Sequence, residues 1–222
     1  MGMFPLFVDL KNKSCIVIGG GEVASRKVEV LLRYKAHLTV IAPEINPTLM
    51  DLEINKKIKL IKREYNEGDI DAATLIIAAT SSPTVNERVY RAAVQRNIPV
   101  NVVDNPDMCT FLFPSIIKRG ALSIGISTSG AYPALAKKIR KVLDKFFTED
   151  YSDIVSLLAD FRLKVRQSNL SINEKEKILA QVLDEFYDKG NINPQALIDI
   201  LEKYKSELTM RDSNARLQKT LS

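Results

Sequence analysis

A run of three glycines separates an apolar segment from a helical one near the start of this chain of 222 residues. Residues 14–19, before the turn, are predicted to form a buried strand, and residues 22–35 a helix, because apolar side chains recur there at helical spacing. Gly19 permits a tight turn, and Gly21, without a Cβ, lets a phosphate approach the positive end of the helix. Ala24 occupies the position where helix and strand pack closely. The segment therefore predicts a dinucleotide-binding turn.

Short apolar runs alternate with helical segments through the first half of the chain. The predicted strands cover residues 14–19, 37–42, 58–61, 74–79 and 99–103, and a shorter leading strand is expected at residues 6–10. This alternation predicts an α/β fold, a Rossmann-like doubly wound parallel sheet. Ligands bind such sheets beyond the carboxyl ends of the strands, which adds Ala79, Thr80 and Val102 to the candidate cofactor contacts.

The pattern changes after residue 110. Two β-rich segments joined at Arg119 and Gly120 predict a β-hairpin, and Pro133 begins a basic helix with one apolar face. The remainder of the chain has a helical pattern. We therefore expect three parts: a nucleotide-binding domain over residues 1–113, a hairpin-and-helix segment over residues 114–147 and a small all-α domain over residues 148–222.

Charge, hydropathy and cysteine content limit the classes of partner. The net charge of +5 suits a polyanion, but Trp is absent and no basic run is interleaved with aromatic residues, so nucleic acid is not expected. No apolar run is long enough to span a bilayer and no signal peptide is recognisable, so we expect a cytoplasmic protein without a membrane partner. Cys15 and Cys109 lie far apart, and His37 is the only histidine; reduced thiols and no bound metal are expected.

Some charged positions allow two interpretations each. Glu44 follows the second strand and either binds the ribose or is a solvated loop carboxylate. Asp104 ends the fifth strand and either faces the ligand or forms the turn, since Asp and Asn favour turns. Arg26 and Lys27 either contact the pyrophosphate or belong to a solvated helix face. No Arg lies near Glu44 to bind a 2′-phosphate, which favours NAD over NADP.

Short motifs recur in a fixed order along residues 4 to about 145. They are VIGGGEVASRK (17–27), TVIAPE (39–44), AAT (78–80), NVVD (101–104), FPSII (113–117) and STSG (127–130). In this order they resemble the siroheme-synthase precorrin-2 dehydrogenase family. The chain is too short for the methyltransferase domain fused to some members, so it resembles the stand-alone form.

The resemblance implies an activity, a cofactor and a set of site residues. The family oxidises precorrin-2 to sirohydrochlorin with NAD⁺, and its NAD contacts correspond to Glu22, Val23, Pro43 and Glu44. Its essential aspartate, a proposed general base, corresponds to Asp104, and its homodimer forms through residues 114–147. The substrate is a tetrapyrrole with many carboxylates. Its contacts are assigned to polar and basic side chains: Asn105, Ser127, Thr128, Lys118 and Arg119.

Three alternative functions remain open at this point. One is an unrelated NAD oxidoreductase, although the chain has no Tyr-x-x-x-Lys pair of the short-chain type. Some family members also insert Fe²⁺ into sirohydrochlorin, and a transient Fe²⁺ substrate needs no tight protein cage. A non-enzymatic NAD-sensing module is the alternative from another class; such modules usually have an acid at the end of the second strand, where this chain has Val40, Ile41 and Ala42.

Overall fold

The apolar runs of the first half form one parallel sheet. The computed structural model describes residues 2–188, 190 and 192–221. The sheet contains β1 (Ser14–Ile18), β2 (His37–Ile41), β3 (Lys59–Ile61), β4 (Leu75–Ala78) and β5 (Val100–Val102), in the order β3-β2-β1-β4-β5. Ile18 of β1 is in register with Ile41 of β2 and with Ala78 of β4, so these strands end together. The predicted doubly wound parallel sheet is confirmed.

Helices cover both faces of this sheet. Side chains of α1 (Glu22–Leu32) and α2 (Pro47–Ile54) share one core with Cys15 and Val17 of β1. Side chains of α3 (Pro83–Gln95) share the other core with Ile16 and Ile18. Because both faces are covered, the central strands β1 (from Cys15 onward) and β4 are continuously apolar instead of alternating with polar residues.

Polar caps determine where two of these helices begin. Asn46 Oδ1 accepts a hydrogen bond of 2.9 Å from Leu49 N, and Ser82 Oγ accepts one of 3.4 Å from Val85 N. In each case a proline follows as the first helical residue, where its fixed φ suits the helix and its missing N–H costs nothing. A cap residue followed by proline thus sets the start of both helices.

The described residues form two compact units. The first runs to Pro114 and includes Ser127–Pro133; the second comprises Ser115–Ile126 and the described residues from Ala134 onward. Beyond the sheet, the chain forms the antiparallel hairpin of β6 (Ser115–Arg119) and β7 (Leu122–Ile126), then α4 (Pro133–Leu143), α5 (Tyr151–Gln167), α6 (Ile172–Asp188) and α7 (Pro194–Leu221). Helices α5 to α7 share a separate apolar core around Phe161 and Phe186. The division into three domains stays a prediction.

The predicted leading strand at residues 6–10 is wrong. The described residues 2–10 form neither helix nor strand, and the side chains of Phe4, Leu6 and Phe7 are 84%, 74% and 75% exposed. The strands at the two edges of the described sheet are β3 and β5, and the segment pairs with neither. Alternating apolar residues predict a strand only where a sheet edge accepts their backbone groups. Leu10 alone of this segment joins the core beneath α1.

Candidate functional site

Backbone hydrogen bonds connect the loops at the carboxyl end of the sheet. Gly19 N donates to Ile41 O over 2.9 Å, and Ala79 N donates to Ile18 O over 2.7 Å. Val103 N donates to Ala78 O over 2.9 Å. These bonds extend the ladder past the strands and hold the loops in one layer. The strand order changes direction between β1 and β4, and doubly wound sheets bind their ligands at that position.

The three glycines of the turn have three different surroundings. Gly19 has φ +125°, and a Cβ there would overlap the carbonyl oxygen of Ala79. A Cβ on Gly20 would overlap the carbonyl oxygen of Glu44. A Cβ on Gly21 would meet nothing within 4 Å. The first two glycines therefore let backbones pack together, while the third opens onto free space.

The space at Gly21 suits a phosphate. Gly21 is the N-cap of α1 and offers no side chain to accept from the N–H groups of the first turn. Those N–H groups and the helix dipole face the N-terminal end of α1, where an anion is favoured. Glu22 and Val23, the first residues of α1, are exposed and half-buried respectively. The residues present thus fit the pyrophosphate of a dinucleotide.

The loop after β2 is locked to the glycine turn. Asn46 N donates to Gly20 O over 2.8 Å, and Asn46 Nδ2 donates to Ser25 Oγ over 3.2 Å. The side chain of Ser25 lies in the first turn of α1 and is 3% exposed. These contacts hold the exposed residues Pro43 and Glu44 at a fixed place beside the turn. Ser25 was not predicted; the signal for it is a polar residue among the buried positions of α1.

A second polar network holds the loop after β4. Thr80 Oγ1 and N both donate to Asn86 Oδ1, over 2.8 and 3.3 Å, and Asn86 Nδ2 donates back to Thr80 O over 3.1 Å. Asn86 is buried on the inner face of α3 beside Val89. It fixes the Ala79–Thr80 peptide against which Gly19 packs. Asn86 was also missed, although a buried-face asparagine in a helix is a detectable signal.

Asp104 follows β5 at the same end of the sheet. Its backbone is left-handed, with φ 58°, and its side chain is exposed. A bond of 3.4 Å from Asn105 N to Val102 O closes the turn that carries it. A Cβ on Gly130 would lie 3.8 Å from the Cβ of Pro106, so the loop of residues 127–130 lies beside this turn. The structure thus brings Asp104, Asn105 and the hydroxyl loop to one neighbourhood.

The hydroxyl loop is ordered by its own side chains. Ser127 Oγ accepts from Ser129 N over 3.0 Å, and Thr128 Oγ1 accepts from Tyr132 N over 3.1 Å. A hydroxyl that accepts in this way still has its own O–H to donate. Both side chains are therefore suited to bind a carboxylate.

The basic candidates have partners within the chain. Arg119, with a side chain only 13% exposed, lies 2.9 Å from Asp144 Oδ1 and 3.3 Å from Glu149 Oε1. These pairs tie the hairpin to the end of α4 and the segment after it, and they do not favour a substrate role for Arg119. Lys118 Nζ donates to Gly120 O over 2.9 Å and is exposed. The substrate roles of both residues stay predictions.

The two basic residues of α1 differ from each other. The ammonium of Lys27 lies 4.0 Å from the centroid of the Phe113 ring, a cation–π contact, and its side chain is half-buried. Arg26 Nε donates to Glu22 O over 3.3 Å and is exposed. Lys27 is therefore packed against an aromatic ring and does not belong to a solvated face.

The thiols are buried as separate free cysteines. Burial raises the pKa of Cys15 to about 11, so this thiol stays protonated at neutral pH. Among the described residues, no group of three or more His, Cys, Asp or Glu side chains is arranged to hold a metal ion. Within the same part of the chain, no helix is both long and apolar enough to cross a membrane.

Two family models match the chain in succession. An NAD(P)-binding model (NAD_binding_7) matches residues 6–115, and the model of the central part of sirohaem biosynthesis proteins matches residues 119–145. The chain belongs to the siroheme synthase family. Its first unit is accordingly an NAD(P)-binding domain.

Curated relatives and a solved structure agree with this family. The siroheme synthase of Vesicomyosocius okutanii subsp. Calyptogena okutanii (strain HA) is 38% identical over 196 residues, 86% of this chain and 42% of that protein. That of Thioalkalivibrio sulfidiphilus (strain HL-EbGR7) is 35% identical over 222 residues, 98% of this chain and 45% of that protein. The chain thus spans less than half the length of these relatives. The solved structure of SirC, precorrin-2 dehydrogenase, is 28% identical with a TM-score of 0.72, covering 91% of this chain and 100% of that one.

Proposed function

We propose that this chain oxidises precorrin-2 to sirohydrochlorin, with NAD⁺ as the hydride acceptor. The observation that carries the proposal is the carboxyl end of the sheet, where the open Gly21 position and Asp104 follow β1 and β5. The similarity to SirC, which extends over the whole of that chain, supports the choice of reaction.

In the proposed site, residues at the ends of four strands, β1, β2, β4 and β5, would hold the cofactor. The turn from Gly19 to Val23 would bind the pyrophosphate, and Pro43 and Glu44 would contact the ribose. Ala79, Thr80 and Val102, at the ends of β4 and β5, would be further contacts of the cofactor. The segment from Ala42 to Asn46 has no Arg, and the Glu44 carboxylate repels a 2′-phosphate, so NAD is preferred to NADP.

The chain's own chemical contribution is proton removal. Dehydrogenation takes a hydride and a proton from the substrate. Accepting the hydride is the chemistry that a bound nicotinamide would supply. Asp104 acts as the general base that takes the proton. Asn105, Ser127 and Thr128 bind substrate carboxylates through their N–H and O–H donors. Insertion of Fe²⁺ into sirohydrochlorin stays a prediction; in that reaction Fe²⁺ would be a substrate and not a bound cofactor.

We also propose a homodimer formed through residues 114–147. Along α4, Leu135, Ile139 and Val142 follow one another at helical spacing, and their side chains are 47%, 37% and 46% exposed. Phe146, just past the helix, is 68% exposed. An exposed apolar stripe of this kind marks an interaction surface.

The test is anaerobic incubation of the purified protein with precorrin-2 and NAD⁺. We expect equal amounts of NADH and sirohydrochlorin, followed by their absorption spectra, and slower turnover when NADP⁺ replaces NAD⁺. Folded protein that binds NAD⁺ without turning over precorrin-2 contradicts the proposal and favours the NAD-sensing module.

A further inference from the structure

The turn that carries Asp104 is not held by its closing bond alone. A left-handed φ costs most residues other than glycine roughly 1–2 kcal/mol and costs Asp or Asn less, and Asp104 has φ 58°. The closing bond, from Asn105 N to Val102 O, is long at 3.4 Å. Further contacts to the ends of this turn therefore matter for the position of the Asp104 carboxylate.

The thiol of Cys109 makes those contacts. Its Sγ lies 3.2 Å from Val102 O and 3.2 Å from Asn105 O, the residues at the two ends of the turn. The same sulfur accepts from Val102 N over 3.3 Å. One thiol thus bridges the strand before Asp104 and the residue after it.

A buried amide completes this arrangement. Asn101 Nδ2 donates to Cys109 Sγ over 3.4 Å and to Phe111 O over 3.1 Å. The residues Asn101 and Cys109 are 7% and 8% exposed, so water competes little for these bonds. Burial raises the pKa of the Cys109 thiol, against smaller opposing effects of the hydrogen bond from the Val102 backbone and of the Lys27 charge. The raised pKa keeps the S–H proton available to donate at neutral pH.

We propose that Cys109 is a positioning residue for Asp104, holding both ends of its turn through the buried thiol. The proposal rests on the proposed function, because the role of Asp104 as a base belongs to it. Without the thiol, the two carbonyl oxygens lose their shared donor and the turn relaxes toward negative φ. The carboxylate then leaves the position from which it takes the proton.

The kinetic test compares the two buried cysteines. Cys109→Ala removes the bridging thiol. The matched control is Cys15→Ala, which removes a thiol that is 0% exposed and packs in the core on the opposite face of the sheet. We expect Cys109→Ala to lower kcat roughly 10- to 100-fold, the usual consequence of a misplaced catalytic group, with KM for NAD⁺ unchanged. Cys109→Ser, which retains a donor and an acceptor, recovers most of kcat. Equal kcat values for Cys109→Ala and Cys15→Ala overturn the proposal.

A second readout does not depend on turnover. The Cα and Cβ chemical shifts and the amide–Hα coupling of Asp104, measured by NMR without substrate, report its φ directly. We expect them to change in Cys109→Ala and to stay as in the native chain in Cys15→Ala. Unchanged signals in Cys109→Ala overturn the positioning role, whether or not the native protein is active. An inactive native protein instead overturns the proposed function and leaves this NMR test of the positioning role intact. Cys109→Val, of similar volume but without a donor, replaces the alanine variant if that does not fold.

Discussion

Glycines 19 and 21 do different things, although both belong to one dinucleotide pattern. Gly19 is required by the protein's own backbone, because a Cβ would overlap Ala79 O and the φ of +125° excludes other residues. Gly21 has an ordinary φ of −87° and open surroundings, so the fold itself tolerates a methyl group there. The missing Cβ of Gly21 is therefore not needed by the fold, and it leaves space for a ligand.

This difference predicts opposite phenotypes for two alanine substitutions. We expect Gly19→Ala to reduce the free energy of unfolding by at least about 1–3 kcal/mol, the cost of a disallowed backbone conformation. Gly21→Ala leaves the melting temperature unchanged but weakens NAD⁺ binding, because its methyl group occupies the space of the pyrophosphate. Thermal unfolding and calorimetric NAD⁺ titration of both variants check this; a Gly21→Ala protein with native NAD⁺ affinity argues against a pyrophosphate at this position.

Local sequence reveals some of these residue roles and conceals others. The role of Gly21 follows from its place at a helix start, and the caps at Asn46 and Ser82 follow from the proline after each. The contact of Gly20 with Glu44 and the bonds of Asn86 to Thr80 depend on which loops meet at the end of the sheet. Cys109 gives no local sign of a bridge to Asn105, because only the folded turn brings them together.

A segment with the sequence pattern of a strand forms one only when a neighbouring strand pairs with its backbone. The strands β1, β2 and β4 have partners on both sides, and their apolar runs predicted them correctly. Residues 6–10 have the alternation of a strand but pair with neither edge of the sheet, so their apolar side chains remain exposed. Helix α4 is amphipathic as predicted, yet part of its apolar face is left exposed in the single chain.

The exposed face of α4 gives a prediction about assembly. Val142→Glu places a charge in the centre of the apolar stripe, and we expect it to convert a dimer into a monomer without changing helix content. Lys137→Glu changes the charge on the far side of the same helix and is the matched control. Sedimentation velocity distinguishes the two states; a Val142→Glu protein that sediments like the native dimer contradicts an interface at this face.

For the chain as a whole, the sequence predicts the sheet and the family more directly than it predicts the roles of individual residues. The order of strands and helices and the ordered motifs sufficed to predict the parallel sheet and the siroheme synthase family. The basic residues were harder, because charge alone does not reveal partners: Arg119 binds Asp144 and Glu149, and Lys27 lies over Phe113. The glycine turn and Asp104, by contrast, lie at the end of the sheet where their pattern placed them.

The central claim is that this end of the sheet both binds NAD⁺ and takes a proton through Asp104. Asp104→Asn tests it most directly, because asparagine tolerates the left-handed backbone but cannot take up the proton. The exposed Asp107, in the 3₁₀ helix after the turn, provides the control Asp107→Asn. We expect Asp104→Asn to bind NAD⁺ with native affinity while its precorrin-2 turnover falls about 10²- to 10⁴-fold, the usual contribution of a general base, and Asp107→Asn to keep native turnover. Native turnover in Asp104→Asn contradicts the account and leaves Asp104 as a residue that only forms the turn.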